Sequence, residues 1–327
     1  MSSWRFMQTI PSSLIGIDVV NRDVVWASGG FDGPGESGSP GLVVRTLDGG
    51  QSWENVTPPD AGSLTFRDVR AFGRDHVLVL ASGEFQGSRI YRTVNGGANW
   101  HLVFENWEAG AFYNGIAFFD AVHGLAMSDP VSGTFRILTT DDGGWTWNVA
   151  PTTGMPDALP DEFGRATGTC LVTKGPHDAW FGTSSGANAR VFHTADRGRT
   201  WSVADTPIAG DPEFGIASLA FWDTRHGLAL GGGDPFSNKP SVVARTTNGG
   251  RTWKRVRSLA GFRLNLAVVP ANRRDTAVAV GLTGSDITTN GGRTWRQFDQ
   301  TDLRGVGCTG DACWAVGKNL VAAQLLR

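Results

Sequence analysis

The stretch RTTNGGRTW (245–253) returns almost letter for letter as TTNGGRTW at 288–295. Earlier copies read TLDGGQSW (46–53), TVNGGANW (93–100), TDDGGWTW (140–147) and TADRGRTW (194–201). The tryptophans closing these copies, Trp53, Trp100, Trp147, Trp201, Trp253 and Trp295, recur at about 50 residues. That period belongs to a four-stranded unit that cannot bury its own faces and must stack on copies of itself, a propeller blade.

Each copy sits between two short strands, as in GLVVRT then SWENVT, RIYRT then NWHLVF, and SVVART then TWKRVR. Two strands joined by a glycine-containing loop with a polar first residue make a hairpin. The Asp or Asn accepts local backbone N–H bonds, and the glycine two residues on takes a positive φ. Two further strands precede each copy, as in FYNGIAFFD and HGLAMSD. After Trp295 the segments LRGVGCTG, ACWAVG and LVAAQLLR supply three more strands, while the N-terminal SWRF resembles the strand that follows each copy. The expectation is an all-β fold over residues 1–327: one seven-bladed propeller of four-stranded blades. Residues 1–11 would supply the outer strand of the last blade and close the ring, which removes open sheet edges.

The 327 residues carry a net charge of −2, so no case exists for nucleic acid or an anionic membrane as partner. No apolar run approaches the roughly 18–20 residues of a membrane span, and none is expected to insert. The opening MSSWRFMQTIP has neither a positive n-region nor an apolar h-region. A cytoplasmic protein is expected if Met1 is the native start, and a secreted or periplasmic one if a signal peptide preceded it. Forty-five glycines and thirteen tryptophans suit tight turns and packed sheets. Of the three cysteines, Cys170 lies in an apolar strand as a core residue. Cys308 and Cys313 would face each other across TGDA, either as a disulfide or as two thiols. No Cys or His spacing suits a metal, and no cofactor is expected.

The copies resemble the Asp-box (BNR) repeats of sialidases and sortilin-type receptors. A narrower resemblance runs through FRDVRAF (66–72), GIAFFDAVHGLAMSDP (115–130), WFGT (180–183), LAFWDTRHGLALGGGD (219–234) and WAVG (314–317). These are similar to bacterial relatives of the photosystem II stability and assembly factor, often labelled oxidoreductase. That resemblance implies the propeller fold and an assembly-factor-like role. The oxidoreductase label gains nothing from GPGESG (33–38), a G-x-G-x-x-G match with no helix behind it. Sialidase chemistry is not expected either, because the chain has only two tyrosines and no Arg-Ile-Pro segment.

Ligands of such propellers bind at the rim opposite the boxes. Aligning the inner strands on Ile17, Val69, Ile116, Leu219, Leu266 and Val306 brings Ile15, Arg67, Asn114, Ala217, Leu264 and Arg304 into register two residues earlier. Arg67 and Arg304 fall in the second and last blades, with only the first between them. Guanidinium groups held at a channel mouth suit a carboxylate or phosphate, and the competing reading is that they pair with Asp68 or Asp302. Tyr113, beside Asn114, and Arg263, one residue out of phase, complete the candidate ligand contacts. The loops joining second and third strands carry Asp32, Glu36, Glu84, Asp129 and Asp234, with Arg190 and Lys239 among them. Carboxylates paired across a cleft would serve a glycosidase, and the same residues initiate Asx turns. His123 and His226 recur at one turn position and read as turn-bonding groups. The long stretch 150–168 reads as an entry loop able to act as a movable edge. Two functions follow. One is a binding platform, for a protein partner or a small anionic or glycan ligand, with Arg67, Asn114, Arg304, Arg263 and Tyr113 at the site. The other is a hydrolase or lyase acting on a glycan with Glu84, Asp129 and Asp234.

Overall fold

The computed structural model describes residues 3–30, 41–61, 64–83, 85–165, 167, 169–184, 186–210, 215–234, 236–237, 239–256, 258–270, 275–310 and 312–325. GPGESG and the acids Asp32, Glu36 and Glu84 lie outside them. The described residues are all β apart from one short 3₁₀ turn at Phe85–Gly87. Four-stranded blades span 14–55, 66–105, 113–149, 216–255 and 265–299, here the first to fifth. The sixth joins Gly305–Thr309, Ala312–Gly317 and Leu320–Leu325 to the N-terminal strand Arg5–Gln8, paired antiparallel with register Arg5↔Ala323 and Phe6↔Ala322. The expected ring of seven four-stranded blades is therefore corrected: six blades have four strands. The remaining sheet, residues 163–209 between the third and fourth blades, has five. Its inner strand is cut in two, Phe163–Gly164 and Leu171–Lys174, and both pieces pair with Asp178–Ser184. The cut falls inside what the sequence presents as an entry loop followed by one strand.

Packing follows from each sheet having two faces to bury. Second strands such as Val77–Ala81, Gly227–Gly231 and Ala277–Gly281 are buried at every position, as strands covered on both faces are. The core lies between neighbouring blades: Trp26 of the first packs with Phe66, Val69 and Tyr91 of the second. The inner strands touch in a closed circle, ending with the sixth blade against the first. Cys308 and Cys313 face each other on the paired strands of the sixth blade and form a disulfide.

All six boxes share one bonding scheme. The Thr hydroxyl accepts from the second glycine, as Thr46 Oγ1 does from Gly50 N at 2.8 Å and Thr140 Oγ1 from Gly144 N at 2.9 Å. The Asp or Asn then accepts from the residue before the Trp, as in Ser52 N to Asp48 Oδ1 at 3.0 Å and Thr294 N to Asn290 Oδ1 at 3.0 Å. The second glycine has φ +82° at Gly50 and +85° at Gly144, the left-handed region. It also lies against the preceding blade, where a Cβ on Gly50 would come within 2.7 Å of Trp314 and one on Gly144 would strike Leu78. At the first-to-second-strand turn, His123 N and His226 N each donate to a turn carboxylate, Asp120 and Asp223, at 2.8 Å.

An inner strand has an open edge facing the channel, and its backbone groups need partners. Neighbouring inner strands supply them. Asp18 Oδ2 accepts from Ala71 N at 2.8 Å, Asp68 Oδ2 from Ile116 N at 2.9 Å, and Ser218 Oγ from Leu266 N at 3.0 Å. Burial pushes the Asp68 carboxyl from its ordinary 3.8 up to about 7, although the Arg70 guanidinium beside it acts the other way. Folded Asp68 thus holds its proton more tightly than unfolded Asp68. Its stabilising share is complete below pH 3.8 and is lost as the pH rises through about 7. Denaturant melts should show stability falling between about pH 4 and 7, and Asp68→Asn should flatten that fall. A slope unchanged by the substitution contradicts the assignment.

Candidate functional site

The rim opposite the boxes is formed by the loops entering each inner strand and those joining second to third strands. At this end the inner strands share an irregularity. Register slips by one residue at Ile15, Arg67, Asn114 and Ala217, four of the six positions that sequence alignment brings into register. Leu264 and Arg304 stand immediately before their strands. A bulge at a strand end re-aims a side chain, so one structural device recurs around the mouth with a different residue in each blade.

The cut inner strand closes that mouth. Between its two pieces Thr167 and Thr169 bond to the neighbouring blades, while Cys170 O still accepts from Gly182 N of its own sheet at 3.1 Å. Thr169 O accepts from Leu219 N at 2.9 Å, and its hydroxyl lies 2.7 Å from Ser218 Oγ and 3.1 Å from Asn265 Oδ1. Thr167 O accepts from Asn265 Nδ2 at 2.9 Å, and the Thr167 hydroxyl donates to Ala217 O. Cys170 Sγ approaches Asn114 O at 3.8 Å. The third, fourth and fifth blades are tied together by this plug. On its box-rim side remains a cavity of about 380 Å³ lined by every inner strand, with Thr169 at its plugged end.

Arg165 arrives at the mouth with the plug. Burial, and then the like charge of Arg165, push Arg67 down to about 10. Arg165 and Arg263 also flank one narrow crevice beside Ala217. Arg263 itself is fully buried and bound within the fifth blade, its Nε 2.7 Å from Asp286 Oδ2 and its Nη1 2.7 Å from Thr283 Oγ1. Arg304 donates to Ser13 Oγ at 2.6 Å and stands 4.0 Å from Asp302, bridging the ring closure. Tyr113 is buried against Phe104 between the second and third blades, and burial raises its phenol above the ordinary range.

Asn114 Nδ2 donates to Asp129 Oδ1 at 2.7 Å, and Gly164 N donates to the same oxygen at 2.8 Å. Asp129 therefore fastens the first piece of the cut strand to the third blade, and burial pushes its carboxyl up to about 6. Asp234 closes a tight turn with Lys239, accepts from Phe236 N at 2.8 Å, and is held below the ordinary carboxylate range by the Ser237 hydroxyl. Asp129 and Asp234 sit on the third and fourth blades and share no bond among the described residues. The 150–168 segment is also pinned. Buried Glu162 accepts from Thr183 Oγ1 at 2.6 Å, Leu159 N at 2.8 Å and Arg190 Nε at 2.9 Å, and Arg190 Nη2 donates to Asp157 O at 3.0 Å. The movable edge expected of this segment is, over 157–164, a fixed one.

Sequence reasoning passed over the apolar residues of this rim. Phe85, Trp107 and Phe236 are 55%, 71% and 74% exposed and lie on the loops that ring the mouth. Phe85 takes φ +47°, an unusual conformation for an aromatic residue, and its carbonyl accepts from Ser88 N at 3.1 Å. Exposed aromatics are legible only once the loops carrying them are known to share a rim.

The chain is similar to the structure of YCF48 bound to D1 peptide, at 15% identity and TM-score 0.66, over 100% of this chain and 98% of that one. It is similar to YCF48 from Cyanidioschyzon merolae at 16% identity and TM-score 0.66, over 98% of each. A GH74 xyloglucanase from Xanthomonas campestris matches at 14% identity and TM-score 0.60, over 92% of this chain and 56% of that one. No family model and no curated protein matches the chain. At these identities the likeness is one of fold, and it supports the resemblance to photosystem II assembly-factor propellers at that level.

Arg190→Met leaves Glu162 buried without its cation. Removing one partner of a buried pair costs about 3–5 kcal/mol, so a loss of that size is expected in denaturant melts, with new protease cleavage between 157 and 168. Wild-type stability and an uncut loop would contradict the pinning role.

Proposed function

We propose that the chain is a recognition platform that takes a peptide of a protein partner, through a carboxylate, at the plugged mouth. The observation that carries this reading is the convergence of Arg67 and Arg165, two like charges from different sheets, within a rim that exposes Phe85, Trp107 and Phe236. Two guanidinium groups close enough to perturb each other give the mouth a positive potential that favours an anionic ligand. Their planar forks match a carboxylate, and exposed aromatic residues near such a point are the usual anchors of a peptide. The plug keeps a ligand at the surface instead of inside the channel. The resembling YCF48 structure carries a D1 peptide, which supports a protein partner by fold-level analogy.

A glycan hydrolase stands second. Its support is Asp129, which burial pushes up to about 6, as suits a general acid. It also needs a second carboxylate roughly 5–10 Å away, and Asp234 is spent on its own turn.

The test is fluorescence anisotropy of a synthetic peptide array, each peptide made with a free and with an amidated C-terminus. Peptides that bind should lose at least tenfold in affinity on amidation, in Arg67→Ala/Arg165→Ala, and independently in the exposed variant Trp107→Ala. Equal binding by wild type and both variants would refute the site.

A further inference from the structure

A second repeat-breaking position lies on the box rim. The residue before the box threonine is Arg45, Arg92 and Arg245 in the first, second and fourth blades. Each of these arginines reaches the next blade's box. Arg92 Nε donates to Gly143 O at 3.0 Å with its guanidinium over Trp145, Arg45 fills the space beside Gly96, and Arg245 lies against Gly291. In the five-stranded sheet the same position is His193. The shorter side chain stacks on Trp180 with centroids 4.8 Å apart, and its Nε2 lies 2.8 Å from Asp178 Oδ1. Trp180 Nε1 takes over the bond to the next box, donating to Gly249 O at 2.9 Å. The volume an arginine would fill stays open as a cleft of about 470 Å³ between this sheet and the fourth blade.

The charges lining that cleft are unbalanced. Asp178 is engaged by His193, whereas Arg225 and Arg251 form no ion pair with any described residue. Gly249 N donates to Arg225 O at 2.9 Å, which anchors the Arg225 turn to the box that carries Arg251. The box residue here is Asn248, where the first and third blades and the five-stranded sheet place Asp48, Asp142 and Asp196. The one carboxylate a box could have contributed is therefore absent. Thr224 adds a hydroxyl at the edge.

We infer that this inter-blade cleft binds a phosphate group, inorganic or as a monoester, between Arg225 and Arg251. Two guanidinium forks facing one cleft match a dianionic tetrahedral oxyanion better than a single carboxylate. This site is separate from the mouth of the channel and independent of the function proposed there.

The imidazole signals of His193, followed by NMR, report occupancy. Inorganic phosphate should shift them saturably beyond sodium chloride at equal ionic strength. Arg225→Gln/Arg251→Gln, both exposed and so expected to fold normally, should raise the half-saturation point at least tenfold. His193→Arg should fill the cleft as Arg92 does and abolish phosphate binding by calorimetry. O-phosphoserine binding more tightly than inorganic phosphate would identify a monoester as the ligand, and weaker binding would identify the free ion. A response equal to that of chloride, equal binding of acetate, or an unchanged half-saturation in the double variant would overturn the proposal.

Discussion

Every blade that carries a box rests on its predecessor through the second glycine of that box. At Gly144 that residue is bound to Thr140, takes φ +85°, and sits where a side chain would strike Leu78 of the blade before. Three demands thus fall on one backbone position: a left-handed turn, a hydrogen bond back into the strand, and contact with a neighbouring sheet. Glycine alone meets the first and third together. The repeated sequence is the record of that constraint, because no blade can bury its faces without a neighbour at the right distance.

The mouth differs from the box rim because the constraint there is looser. Bulges at Ile15, Arg67, Asn114 and Ala217 leave the backbone device unchanged while the side chain varies. One inner strand is cut altogether, and the freed segment spends its hydroxyls and carbonyls on Ala217, Ser218 and Asn265. The result is a mouth with a rigid floor, cationic groups from two sheets, and aromatic residues on the loops around it. A rigid floor limits the ordering cost of binding, the general advantage of preorganisation.

Much of this was legible in the chain itself. The box spacing specified blades, SWRF identified the closing strand, and in-phase alignment of the inner strands picked out six positions, four of which are bulges. Other features depend on contacts far apart in sequence. Phe163–Gly164 is too short to read as a strand, and it pairs only because Asp178–Ser184 is long enough to hold two partners; hence one blade too many was expected to be four-stranded. Arg165 was hidden in the same stretch. Arg263 looked like a ligand contact because its partner, Asp286, lies 23 residues away on a strand whose alternation does not mark it as inward.

The recognition proposed at the plugged mouth is tested most directly by hydrogen exchange with a bound carboxylate peptide, resolved along the chain. Slowed exchange is predicted in the loops at 82–90, 106–114 and 157–170, with the box turns unchanged. Protection confined to the box turns, or absent from 157–170, would contradict it.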